Sequence, residues 1–184
     1  MRLNLKNTWK PYLKVGIFGL LEIVWINFLG IIFLLIFKKL ILDYNMENIS
    51  NLKTVEWKNN KVIMIEQTKL PNELVFVEYD DFNQVANAIK TLIVRGAPAI
   101  GVSGAFGLGL AALQSKATTK DELLSDLEDA RKILFATRPT AVNLGWGLEK
   151  IMNIAKTGDT PEQIRELVIS TAKKMADEDI EINK

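Results

Sequence analysis

TLIVRGAPAIGVSGAFGLGL, residues 91–110, decides how the rest of the chain is read. Its one charged residue is Arg95, and five glycines stand among the others. Pro98 suits the first turn of a helix, where a missing backbone N–H costs nothing. Arg95, Gly96 and Ala97 then fall in the loop that leads into that helix. Gly101, Ser103, Gly104, Ala105, Gly107 and Gly109 give the helix small surfaces suited to close packing against neighbours. The run from Gly96 to Ser115 carries no charge and mimics a membrane span, but glycine dilutes its hydropathy. GLGLAA, residues 107–112, has the spacing of a dinucleotide-binding fingerprint. That fingerprint needs a strand directly before it and a helix opening at it, and these residues lie inside the helix.

Upstream, the pattern is that of strands. KTVEW (53–57) alternates apolar and polar residues, KVIMIEQ (61–67) is a second strand and ELVFVEY (73–79) a third. Asn59-Asn60 makes the first turn, because asparagine tolerates positive φ. Asp80 or Asp81 caps a helix running to about Ile93, with Phe82, Val85, Ile89 and Leu92 on one face. Downstream, Thr119 to Glu122 reads as a capping box for a helix to about Ala136, with Leu123, Leu124, Leu127, Ala130 and Leu134 as its apolar stripe. Thr137-Arg-Pro-Thr140 breaks the chain, and a helix follows from about Ala141 to Ala155. Thr160 to Gln163, with Pro161 in its first turn, opens a last helix in which no Gly or Pro supplies a stop. The fold class expected is α+β, a small three-stranded antiparallel sheet followed by a helical bundle.

Composition excludes several chemistries. The 184 residues contain no cysteine and no histidine. Thiolate catalysis, disulfides, Cys/His metal sites and a Ser-His-Asp triad are therefore out, and no metal ligand is assigned. Acid–base work would fall to Asp, Glu, Lys or Tyr. A net charge of +1 gives no reason to expect nucleic acid as a partner.

The charge is unevenly spread. Residues 1–45 carry six Lys/Arg against two Asp/Glu, and the remainder is net acidic. Within the first piece, VGIFGLLEIVWINFLGIIFLLIF (15–37) is long enough to cross a bilayer, with Glu22 its one charge. Lysines flank it on both sides, so charge bias sets no orientation. Three readings stand: a membrane anchor, an over-extended start with the true one at Met46, or a buried hydrophobic helix. The division expected is 1–45 as a hydrophobic extension and 46–184 as the folded domain.

Arg95 and Gly96 precede a helix N-terminus, where free N–H groups and the positive end of the dipole collect. Gly96 lets an anion approach the backbone, and Arg95 can grip it with two nitrogens. Arg138 repeats this arrangement just before the helix at 141. The two arginines form a phosphate clamp if their loops converge. The alternative is a pair of structural arginines, each matched to a carboxylate.

VRGAPAIGVSGAFGLGLA (94–111) resembles the signature of the methylthioribose-1-phosphate isomerases. These belong to one superfamily with the α, β and δ subunits of the factor that exchanges guanine nucleotide on translation initiation factor two. TVEWKNNKVIMIEQTKLP (54–71), ATRPTAVNLGWGLEKI (136–151) and ADEDIEINK (176–184) are similar to further family segments. The resemblance implies the N-terminal α+β domain of a protein whose larger Rossmann-like domain, bearing a catalytic cysteine and aspartate, follows beyond Lys184. It implies isomerisation of an aldose 1-phosphate to a ketose 1-phosphate in methionine salvage, without metal or cofactor. It implies substrate binding by Arg95, Gly96, Ala97 and Arg138, no catalytic residue within this chain, and a homodimer for complete members. The hydrophobic segment at 15–37 has no counterpart in the family. Three functions follow as expectations: a cytoplasmic isomerase part that needs a C-terminal half encoded elsewhere, a non-catalytic binding or regulatory module, or a membrane-tethered form of either.

Overall fold

Asn59 and Asn60 adopt φ of 53° and 57°, the left-handed pair that a tight hairpin requires. They join β1 (Val55–Lys58) to β2 (Lys61–Ile65), paired antiparallel with Trp57 opposite Val62. β3 (Phe76–Tyr79) adds antiparallel to β2, with Val62 opposite Tyr79, so the sheet order is β1-β2-β3. The structure, a computed structural model, describes residues 35–40 and 52–182. Residues 35–40 are helical and exposed, and belong to a separate unit from the one beginning at Lys53. The rest of the hydrophobic segment at 15–37, with Glu22, lies outside the described residues.

All three strands are shorter than the sequence pattern suggests. The Asn72 and Glu73 N–H groups both turn back to the Lys69 carbonyl at 3.1 Å, so they are unavailable to a ladder and β3 starts only at Phe76. At the far end of β2, Gln67 N–H leaves the sheet and donates to the Ile93 carbonyl at 2.9 Å. Inward-facing Val55, Val62, Met64 and Tyr79 are buried, whereas Phe76 on the opposite face is exposed, as period-two alternation dictates.

Five helices follow. Asp81 caps α1 (Phe82–Lys90) by accepting the Asn83 N–H at 2.7 Å. α1 ends three residues before Ile93, because Leu92 turns to φ 63°. Leu92 is therefore 39% exposed rather than on the buried face of α1, and Val94 takes the core position. Next come α2 (Ala97–Gln114), α3 (Lys120–Thr137), α4 (Val142–Ala155) and α5 (Pro161–Ile182). The capping box of α3 is complete: Thr119 Oγ1 accepts the Glu122 N–H at 3.3 Å, and Glu122 Oε2 accepts the Thr119 N–H at 3.3 Å. At α5 only half of the expected box forms. Thr160 Oγ1 accepts the Gln163 N–H at 3.3 Å, but Gln163 reaches one residue further back, to the Asp159 N–H at 3.0 Å.

α2 is the centre of the bundle, and every residue from Ile100 to Ala112 is buried. It is also the one helix among the described residues that is long and apolar enough to cross a membrane, yet 72% of it is covered by its own neighbours. It is the core helix of the domain. α1, α3, α4, α5 and the sheet all touch it. Phe106 lies against Trp57 of β1 with ring centroids 5.6 Å apart. Full burial of Phe106, Leu108 and Leu110 is worth about 1.5–3 kcal/mol each.

The glycines of α2 are sites of contact. A Cβ added to Gly147 of α4 would lie 2.7 Å from the Gly101 carbonyl oxygen, and one on Gly101 would lie 2.8 Å from the Asn143 carbonyl oxygen. The two backbones touch with no side chain between them. At its C-terminal end, α2 has no basic residue of its own. Arg165 of α5 supplies the missing charge, with Nε on the Ala112 carbonyl at 3.1 Å and Nη2 on the Ser115 and Ala117 carbonyls at 3.2 and 2.9 Å.

Candidate anion site at the α2 and α4 N-termini

Gly96 closes the loop before α2 with φ 91° and ψ 132°, a backbone region that side chains resist. Among the described residues, no atom beyond its immediate chain neighbours lies within 4 Å of where its Cβ would stand, so backbone conformation and not space demands glycine. The first helical bond of α2 runs from the Ile100 N–H to the Gly96 carbonyl at 3.0 Å. The Ala97 and Ala99 N–H groups meet no acceptor among the described residues. α4 opens in the same way, with Ala141 at its cap and no side-chain hydrogen bond. α1, α3 and α5 have side-chain caps; α2 and α4 do not.

These two uncapped ends lie together. The α2–α4 contact climbs both helices in the same direction, from Gly101 against Asn143 to Gly104 against Leu144 and Leu148. Both N-termini therefore open on one side of the bundle, where their dipoles add.

Arg95 and Arg138 sit one at each opening. Arg95 is exposed, and its Nε donates to the Leu92 carbonyl at 3.2 Å. Arg138 is the C-cap of α3 and is half-buried, with its N–H on the Phe135 carbonyl at 3.2 Å. Neither guanidinium pairs with a carboxylate among the described residues, unlike Arg131, which is held by Glu128 at 2.6 Å. The reading of these arginines as structural ion-pair partners is not what the geometry shows.

Between the helix openings lies a cleft of about 130 Å³ lined by Pro98, Gly101, Asn143, Trp146, Met175 and Asp179 among others. Arg95, Gly96, Ala97 and Arg138 are not part of its wall; they stand at the chain segments leading to it. Sequence reading gave no role to the α5 contribution. Glu178 also lines the cleft, held by Lys150 at 3.3 Å and Lys174 at 3.9 Å, and Lys150 lies 5.0 Å over the Trp146 ring. Segment 136–151 contains Trp146 and Lys150, and 176–184 contains Glu178, but only the packing of α5 against α4 brings them together.

The sequence profile of the Initiation factor 2 subunit family matches residues 93–184, half of the chain. The chain belongs to that family. Among individual proteins, it is similar to the methylthioribose-1-phosphate isomerase of Geotalea uraniireducens (strain Rf4), with 43% identity over 132 residues, covering 71% of this chain and 38% of that protein. The methylthioribose-1-phosphate isomerase of Geobacter sulfurreducens is 42% identical over 134 residues, covering 72% and 39% respectively. Crystal structures of relatives resemble the fold as well, two of them as follows. The 5-methylthioribose 1-phosphate isomerase of Pyrococcus horikoshii OT3 aligns with TM-score 0.67 and 46% identity over 70% of this chain and 37% of that one. The translation initiation factor eIF-2B subunit delta of A. fulgidus aligns with TM-score 0.68 and 42% identity over 71% and 38%. The chain thus spans less than two fifths of the length of these curated relatives.

Proposed function

We propose that this chain is the substrate-gripping, N-terminal part of an aldose–ketose isomerase that converts 5-methylthioribose 1-phosphate to 5-methylthioribulose 1-phosphate in methionine salvage. The observation that carries the reading is the pair of arginines without carboxylate partners among the described residues, Arg95 and Arg138, at two uncapped helix N-termini that open on the same side. The names of the relatives supply the substrate. In this reading Arg95 holds the phosphate with two nitrogens, the Gly96 and Ala97 backbone approaches its oxygens, and Arg138 adds a second positive charge. Phosphate at a helix N-terminus gains from both the free N–H groups and the dipole.

The isomerisation itself moves a proton between C1 and C2, which requires a positioned acid and base. We assign no residue of this chain to that pair. A second polypeptide segment supplies it, and complete assemblies are homodimeric. A sugar phosphate is confined by its charge, so the cytoplasm is the compartment proposed. A second reading, a non-catalytic binding module, draws support from the equally good alignment with the A. fulgidus initiation-factor subunit.

Calorimetric titration of the 184-residue chain with 5-methylthioribose 1-phosphate separates the two. Binding that is lost in Arg95→Ala and weakened in Arg138→Ala supports the isomerase reading. Absence of binding favours the second. Turnover by this chain alone, followed by NMR of the sugar, would refute its role as a gripping part without catalytic residues.

A further inference from the structure

Leu92 adopts a left-handed conformation, φ 63°, that a bulky L-residue rarely takes. α1 closes with the Ile93 N–H on the Ala88 carbonyl at 3.0 Å and the Leu92 N–H on the Ile89 carbonyl at 3.4 Å. These are the two bonds of a Schellman motif, whose left-handed position glycine usually fills. Here leucine fills it, and the residue is 39% exposed, so core packing does not account for the choice. The turn leaves the Leu92 carbonyl outside the α1 ladder, where it accepts Arg95 Nε at 3.2 Å. The intervening loop is fixed at two points. The Ile93 carbonyl accepts the Gln67 N–H at 2.9 Å, and Val94 is fully buried.

We propose that Leu92 is a positioning residue for the anion site: its left-handed turn aims the carbonyl that ties down Arg95 Nε, and so presents Nη1 and Nη2 as the pair that grips the phosphate. This rests on the reading of Arg95 as a phosphate ligand. A free arginine must lose side-chain freedom when it binds, and a guanidinium already held at Nε loses less.

The test is titration of the full chain with inorganic phosphate, comparing wild type, Arg95→Ala, Leu92→Asn and Leu92→Ile. Asparagine tolerates left-handed φ, and a β-branched residue opposes it. Leu92→Ile is expected to weaken phosphate binding about fivefold, the worth of one ordinary hydrogen bond, while Leu92→Asn retains it. A merely structural Leu92 would shift the denaturation midpoint of Leu92→Ile and leave the phosphate affinity of the folded chain unchanged, which overturns the inference. If Arg95→Ala binds phosphate like wild type, or wild type does not bind, the phosphate reading itself falls. NMR of the arginine side chains covers the case in which Leu92→Ile does not fold. The Arg95 Nε–H signal is expected to stay put while the Nη signals move on phosphate addition, and displacement of the Nε–H by phosphate would overturn the inference.

Discussion

Gly147→Ala and Gly145→Ala make the same chemical change two residues apart on α4, and the structure gives them opposite signs. Glycine costs a helix interior about 1 kcal/mol relative to alanine, so both variants gain that amount from helix propensity. At Gly145 the new Cβ would meet the edge of the Phe135 ring at 3.3 Å, and a half-exposed ring can move by tenths of an ångström. Gly145→Ala is therefore expected to be neutral or to stabilise by up to about 1 kcal/mol. At Gly147 the new Cβ would lie 2.7, 3.2 and 3.3 Å from O, C and Cα of Gly101. All three are backbone atoms of the central helix, so relief requires α2 and α4 to separate along their whole contact. Overpacking of this kind costs about 1–3 kcal/mol, and a gap of half an ångström forfeits about a quarter of each dispersion contact. Net of propensity, Gly147→Ala is expected to destabilise by about 0–2 kcal/mol, which places it about 1–3 kcal/mol below Gly145→Ala, since both variants share the propensity gain. Urea denaturation of the 184-residue chain, monitored by tryptophan fluorescence, measures the difference directly. A Gly147→Ala midpoint at or above that of Gly145→Ala would refute the backbone contact between α2 and α4.

Gly96→Ala is expected to destabilise by about 1–3 kcal/mol although its Cβ has open space, because φ 91° is the obstacle; a wild-type midpoint would show that the loop can re-form with a negative φ. Arg165→Met keeps much of the side-chain bulk but strips three carbonyls at the C-terminal end of α2, and is expected to cost about 2 kcal/mol. Amide exchange at Ser115 to Ala117 is the sensitive probe, and unchanged protection there would contradict the capping role. Hydrogen bonds from Thr118 and then Thr119 hold the Glu122 carboxyl below the usual glutamate range. The folded chain thus keeps this group ionised to lower pH than the unfolded chain does. Its stabilisation is present at neutral pH and is lost as pH falls below the ordinary glutamate value of about 4.3. Glu122→Gln should lose less stability than wild type on acidification, and parallel curves would refute this assignment.

Much of this fold is written in local signals. Asn59-Asn60, Asp81 and the Thr119–Glu122 box each act within a few residues, and each stands where the sequence places it. The misreadings are those in which a distant partner decides. Leu92 has helical spacing with Val85 and Ile89, yet the loop is committed elsewhere, to Gln67 of the sheet and to the buried Val94. Arg165 reads as one more charge on an amphipathic helix, and nothing local reveals that it serves carbonyls some fifty residues earlier. The two arginines were visible as residues preceding helix starts. Their lack of carboxylate partners among the described residues, and the place of Glu178 and Asp179 in the wall of the neighbouring cleft, depend on the packing of α4 and α5.

The burial of α2 also bears on the order in which the chain acquires structure. Gly101, Gly104, Gly107 and Gly109 together cost this helix about 4 kcal/mol of intrinsic propensity. Alone in water it has little reason to form. The other four helices and the sheet, in turn, all pack against it. α3, with its complete cap and its i,i+3 ion pairs, can form early and locally, whereas α2 must wait for partners that themselves need it. Such mutual dependence concentrates folding into a single late step. Native-state exchange should then find the amides of α2 opening only with the whole domain, even though its sequence is the weakest helix former of the five.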